Sequence, residues 1–269
     1  MSERDDYPHG VPCWVEGLVP DPEGMREFYS GVFGWEFEGP GKMPGEESSA
    51  YFVARLRGRD VAGIGSLPQG VEAATWVTHI RADDADAAAD AVRAAGGSVV
   101  VEPLDVPPVG RMAVLDDPTG ARFVAWEAEG REGAQIVNEP AAWSMSSLVT
   151  PDPEAAAAFY VAVFGWETME LGPGMTVFRL PGFVGGEPGQ PVPRDVVAVM
   201  AATEDADGAF WQADFWIDDI EAVAATAVER GGEVVEPPAE FPGAPFISAV
   251  LADPAGARLS VSQKLPEAA

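Results

Sequence analysis

The 269-residue sequence contains a single cysteine and no apolar run of about 20 residues. With only Cys13, the chain cannot form an intramolecular disulfide, and without a long apolar run it has no membrane-spanning helix. Its first ten residues, MSERDDYPHG, also lack the basic and apolar regions of a signal peptide. We therefore expect a cytoplasmic protein.

Cationic side chains are also scarce. Lys and Arg number 16 against 44 Asp and Glu, which gives a formal net charge of −28. Such a charge repels phosphate backbones and anionic membrane surfaces. G-x-G-x-x-G, G-x-S-x-G, P-loop and C-x-x-C motifs are absent as well. We expect a small-molecule ligand as partner, neither nucleic acid nor membrane, and a monomer or homodimer.

What the chain does contain is a duplication. Residues 20–36 return at 151–167 with eleven of seventeen positions identical. Two further pairs follow in register, 76–84 with 211–219 and 117–122 with 253–258. A repeat of this length is a domain and not a short solenoid unit. The sequence therefore predicts domain 1 at 10–128, a polar linker at 129–139 and domain 2 at 140–264.

Each half shows the same order of elements twice. An Asp-Pro turn opens a helix whose apolar residues face a sheet, and short strands follow. The predicted strands of half one are 11–19, 36–38, 51–57, 60–66, 75–82, 98–102, 111–116 and 122–128, with a loop at 39–49. Those of half two are 142–149, 175–181, 195–201, 210–217, 233–236, 246–251 and 257–263. The first predicted helix opens at Asp21 and ends at about residue 34, and the other three span 85–95, 153–164 and 219–230. Together with the strands they make four β-α-β-β-β modules.

Paired β-α-β-β-β modules with the opening PDP-x₅-FY-x₃-FGW and the closing DP-x-G strand resemble the vicinal-oxygen-chelate superfamily. This superfamily includes glyoxalases, bleomycin-resistance proteins and extradiol dioxygenases. The resemblance covers about 10–128 and 140–264. It implies an α+β fold in which four modules form two curved-sheet clefts, as in tandem glyoxalase-like proteins.

The resemblance also implies where a metal ion would bind, because metalloenzymes of the superfamily take His, Glu or Gln ligands from the first and last strands of each module. Counting from the motifs gives Trp14, Gly63, Val77 and Val124 in half one. The same count gives Met145, about Ala198, Gln212 and Ser260 in half two. Gln212 alone has a suitable donor, and one amide does not hold a divalent ion. We expect neither a metal nor another cofactor.

Strand alternation predicts what lines the clefts instead, because neighbouring side chains point to opposite faces. The cleft-facing set in half one is Trp14, Glu16, Val77, His79, Val124 and Trp126. In half two it is Met145, Ser147, Gln212, Asp214 and Ser260. Trp76 and Cys13 fall on the helix-facing side. Half one's cleft is the more aromatic, and we expect the better binding site there.

Two functions remain open. An aromatic cleft that has lost its metal ligands favours a metal-free protein that sequesters an aromatic or amphipathic compound, such as an antibiotic or its precursor. The alternative is an enzyme of natural-product or aldehyde metabolism, a lyase, isomerase or dioxygenase. A metal-independent enzyme would use His79 and Glu16 as an acid-base pair, or residues of the second cleft. A metal-dependent one would have ligands displaced by a residue or two, for which Glu127 is a further donor. A regulatory module has no support beyond the acidic surface.

Overall fold

The computed structural model describes residues 3–172, 175–185, 194–204, 208–240 and 246–265, and each half of the chain forms its own eight-stranded sheet. Half one contains β1 (Pro12–Val19), α1 (Pro22–Phe33), β2 (Glu36–Met43), β3 (Glu46–Leu56), β4 (Arg59–Ser66), β5 (Thr75–Arg81), α2 (Ala85–Ala94), β6 (Ser98–Val106), β7 (Gly110–Asp116) and β8 (Arg122–Ala128). Half two contains β9 (Trp143–Thr150), α3 (Pro153–Phe164), β10 (Glu167–Gly172), β11 (Met175–Arg179), β12 (Val196–Ala202), β13 (Phe210–Trp216), α4 (Ile220–Glu229), β14 (Glu233–Glu240), β15 (Phe246–Ala252) and β16 (Arg258–Lys264).

Both sheets have the same topology. In half one the strand order is β2-β3-β4-β1-β5-β8-β7-β6, and in half two it is β10-β11-β12-β9-β13-β16-β15-β14. The first and last strands of each module are parallel, and the two first strands pair antiparallel at the centre of the sheet. The predicted α+β fold of four modules in two curved sheets is confirmed. No described helix is long and apolar enough to cross a membrane.

The repeated Asp-Pro sequence begins the first helix of each half as predicted. The Asp21 carboxylate accepts a hydrogen bond from Gly24 N at 3.0 Å, and Pro22 occupies the first turn, where its missing N–H costs nothing. The helix ends at Gly34, whose φ of 71° suits glycine. Asp152 and Gly165 repeat both caps in α3.

The predicted loop at 39–49 is wrong, because these residues extend β2 and β3 into a long hairpin. Ser49 closes it: its hydroxyl accepts from Met43 N at 2.8 Å and donates to the Glu46 carbonyl at 2.6 Å. Register shifts beside Gly41 absorb the glycine and proline residues that suggested a loop. Strand β10 in half two was also not predicted.

The helix-covered faces of the two sheets face each other and share one hydrophobic core. Each half contributes a tyrosine that bonds to an aspartate of the other: Tyr29 Oη donates to Asp253 at 2.8 Å, and Tyr160 Oη to Asp117 at 3.1 Å. Trp76 lies beside Tyr29 on this side, as alternation predicted. The tyrosines of the repeated FY motif and the aspartates of the closing DP-x-G turn therefore join the two halves. They do not line a cleft.

The segment between the halves is bonded to half one. Ala134 N donates to the Cys13 carbonyl at 2.8 Å, and Gln135 N donates to the Asp60 carbonyl at 2.7 Å. Ile136 is buried in the shared core. The segment whose polar composition suggested a linker is thus held by hydrogen bonds to half one. The division into 10–128, 129–139 and 140–264 stays a prediction.

Candidate functional site

A cavity of about 330 Å³ opens on the face of the half-one sheet that points away from the helices. Its walls come from the central strands, from the β2–β3 hairpin, from the β6–β7 turn and from the segment after β8. Four residues that alternation placed in this cleft line it: Trp14, Glu16, His79 and Trp126. The other lining residues used below are Glu38, Lys42, Met43, Tyr51, Met112 and Arg131.

A buried polar network lies in this cavity. Trp14 Nε1 donates to Tyr51 Oη at 3.0 Å, Tyr51 in turn bonds to Glu16, and His79 Nε2 lies 3.2 Å from Glu16 Oε1. The His79 ring is not aligned for a hydrogen bond to that oxygen, so Nε2 has no hydrogen-bond partner among the described residues. His79 Nε2 is therefore in ion-pair contact with Glu16 without a well-aligned hydrogen bond.

The network also fixes protonation states. Burial opposes ionisation of Glu16, but attraction to His79 and the Tyr51 hydrogen bond outweigh it, and the pKa of Glu16 is lowered. Burial, followed by the Glu16 charge, raises the pKa of Tyr51 well above its usual value. Tyr51 therefore keeps its proton and acts as a donor, whereas Glu16 stays charged.

Tyr51 fills the space where one predicted metal ligand would project. A Cβ added at Gly63 would overlap Tyr51 Oη and lie 2.6 Å from its Cζ. Gly63 also pairs with Glu16 across β1 and β4, which places the phenol directly beside the carboxylate. Tyr51 was not among the predicted site residues, although the alternation of β3 places it on the cleft face.

Val77 and Val124, which we expected to contact the ligand, pack with Leu18 in a small cluster under Met43 and Met112. Because the two methionines are cavity-wall residues, the valines lie one layer behind the wall. Their effect on a ligand would be indirect, through the methionines they support.

The half-one residues do not fit a metal ion. None of the four counted positions, Trp14, Gly63, Val77 and Val124, has a side chain that could coordinate a metal ion. Within the described ranges, no three His, Cys, Asp or Glu side chains are grouped to hold one. Glu127, the displaced donor considered above, accepts a hydrogen bond from Ala85 N at 2.9 Å and so caps α2.

The cleft face of half two is hydroxyl-rich. Asp214 accepts hydrogen bonds from Ser144, from Ser260 at 2.8 Å and from Ser262 at 2.7 Å. Burial raises the pKa of Asp214, although the three serines oppose that rise. Met145 pairs with Asp214 across the central strands.

Its remaining predicted residues are Ser147 and Gln212, which pair with each other. Gln212 Nε2 is buried without a hydrogen-bond partner in the described part of the chain. Ser147 also pairs with Val199, whereas Ala198 is buried in the shared core. The count that gave Ala198 was therefore one residue short, because the segment before β12 differs in length between the halves.

Comparisons with known proteins agree with this architecture. Residues 14–125 match the family model described as glyoxalase/bleomycin resistance protein/dioxygenase superfamily, and residues 145–262 match the model of a glyoxalase-like domain. A Mycobacterium bovis protein named "Putative glyoxylase CFP32" is 35% identical over 99% of this chain and 100% of its own. The chain therefore belongs to the glyoxalase/bleomycin resistance/dioxygenase superfamily, in its tandem form.

Other relatives differ in their named roles. The anthracycline biosynthesis protein DnrV of Streptomyces peucetius is 33% identical over 94% of this chain and 92% of its own. The Mn(II)-bound glyoxalase of Novosphingobium aromaticivorans superimposes with a TM-score of 0.64 at 18% identity, covering 96% of this chain and 83% of that one. The 2,3-dioxygenase LapB of Pseudomonas sp. KL28 superimposes with a TM-score of 0.64 at 13% identity, covering 96% of this chain and 94% of that one. These structural likenesses concern the fold.

Proposed function

We propose that the protein binds an aromatic or amphipathic small molecule in the half-one cavity without the help of a metal ion. One observation carries the proposal: indole and phenol groups occupy two of the positions at which the family resemblance predicts metal ligands. Trp14 stands at one such position, and Tyr51 covers another at Gly63.

The walls suit a flat apolar ligand. Trp14 and Trp126 present large rigid rings, and Met43 and Met112 adapt their shape to the ligand. A volume of about 330 Å³ falls at the lower end of the usual range for small-molecule sites. The named role of DnrV in anthracycline biosynthesis supports a polycyclic aromatic ligand, such as an antibiotic or its precursor.

A second candidate is a metal-independent enzyme, and the Glu16–His79 contact favours it. A charged carboxylate beside a buried imidazole is suited to moving a proton on a bound ligand. Mass spectrometry of a ligand recovered after incubation distinguishes the two. Unchanged mass supports binding alone, whereas a product that disappears with His79→Gln supports the enzyme.

The binding proposal is tested by calorimetric titration with anthraquinone-2-carboxamide as a planar probe. Trp14→Ala should weaken binding by about 1–3 kcal/mol, or roughly 5- to 150-fold, because it removes buried ring surface. Met145→Ala, at the equivalent position of half two, is the matched control and should leave affinity within about twofold. Thermal unfolding confirms that both variants are folded. Unchanged affinity for Trp14→Ala with a large loss for Met145→Ala would place the site in the other cleft.

A further inference from the structure

Two cationic side chains line the half-one cavity, although cations are a minority in this chain. Lys42, on β2, is one of only two lysines. Its Nζ donates to the Ser49 carbonyl at 3.0 Å, and no salt bridge joins it to a carboxylate that the structure describes. Lys42 is exposed, so its ammonium group lies at the cavity mouth.

The second cation, Arg131, is held over the cavity by its backbone. Trp126 Nε1 donates to the Arg131 carbonyl at 2.8 Å, and the guanidinium carbon lies 5.8 Å from the centre of the Trp14 ring. Its Nε is 3.4 Å from Asp60, but Asp60 also accepts a hydrogen bond from Arg55 at 2.8 Å. Asp60 thus bridges Arg131 and Arg55, and Arg55 has Glu38 as a further partner.

The acidic residues that line the cavity also have partners. Glu38 forms an ion pair with Arg55, and Glu16 lies between Tyr51 and His79 at the buried end. Of the two lining cations, Lys42 therefore has no carboxylate partner in the described part of the chain, and Arg131 has a 3.4 Å contact to the shared Asp60 carboxylate.

We infer that the ligand is an aromatic acid, whose ring system lies against Trp14 and Trp126 and whose carboxylate or ionised phenol lies between Lys42 and Arg131. The inference rests on the proposed function and narrows its ligand class. An anion at the mouth gains attraction from both cations and hydrogen bonds from the guanidinium.

The test uses two probes that share one ring system, anthraquinone-2-carboxylate and anthraquinone-2-carboxamide, titrated by calorimetry at low and high salt. The wild-type protein should bind the carboxylate about tenfold more tightly than the carboxamide at low salt, and the preference should shrink as salt screens the charges. In the Lys42→Gln/Arg131→Gln double variant the ratio of the two affinities should fall to about twofold or less.

Matched controls are Lys264→Gln, which removes the other lysine, and Arg93→Gln, which removes a surface arginine of α2. Both should keep the wild-type preference. Equal binding of the two probes, or a preference that survives in the double variant, overturns the aromatic-acid inference and leaves the binding function standing. Failure of both probes to bind overturns the two proposals together.

Discussion

At the residue scale, a pair of positions defines this cavity. Gly63 has no side chain, and the phenol of Tyr51 occupies the space that one would need. The phenol then links the Trp14 indole to the Glu16 carboxylate. A place where the family resemblance predicts a metal ligand is here part of a hydrogen-bonded aromatic wall.

This pairing predicts how Gly63→Ala behaves. The new methyl group overlaps Tyr51, and such overpacking should lower the free energy of unfolding by about 1–3 kcal/mol. In a Tyr51→Ala background the same substitution should cost almost nothing. Gly41→Ala is the control, since its Cβ would meet only the Tyr51 carbonyl at 3.6 Å and should change stability by less than about 0.5 kcal/mol. Chemical denaturation measures the unfolding free energy of each variant. An equal cost of Gly63→Ala in the wild type and in Tyr51→Ala would show that Tyr51 does not occupy the space beside Gly63.

Glu16 predicts a pH dependence of known sign. Its pKa in the folded protein is lowered, so the unfolded chain takes up a proton first as pH falls below the usual value of 4.5. The stabilisation is therefore present above that pH and is lost below it. Between about pH 6 and about pH 3.5, the wild type should lose more unfolding free energy than Glu16→Gln. Denaturant titrations at the two pH values measure this difference, and equal losses would show that Glu16 is not stabilised as an anion.

At the element scale, the sequence was sufficient for the parts of the fold that local chemistry controls. The Asp-Pro caps and the strand alternation that placed His79 and Glu16 together depend on neighbouring residues alone. The β2–β3 hairpin was missed because Ser49 closes it through contacts that composition does not reveal. Tyr51 was also missed, although it begins the predicted strand 51–57, because its partners Trp14 and Glu16 lie on another strand, β1.

At the scale of the whole molecule, duplication has produced two halves that share a core but differ in their clefts. The tyrosine and aspartate residues of the repeat motifs bond across the halves and explain why the repeats look alike. The clefts, which carry no such constraint, have diverged: aromatic in half one, and built around Asp214 and its serines in half two. Conspicuous motifs therefore identified the family, whereas the differences between the halves indicate the candidate site.

The central claim is that the half-one cavity binds its ligand through aromatic walls and not through a metal ion. Calorimetric titration of chelator-treated protein with anthraquinone-2-carboxylate, with and without added Mn(II), tests it most directly. We expect the same affinity in both conditions, within about twofold. Binding that appears only after Mn(II) is added would contradict it.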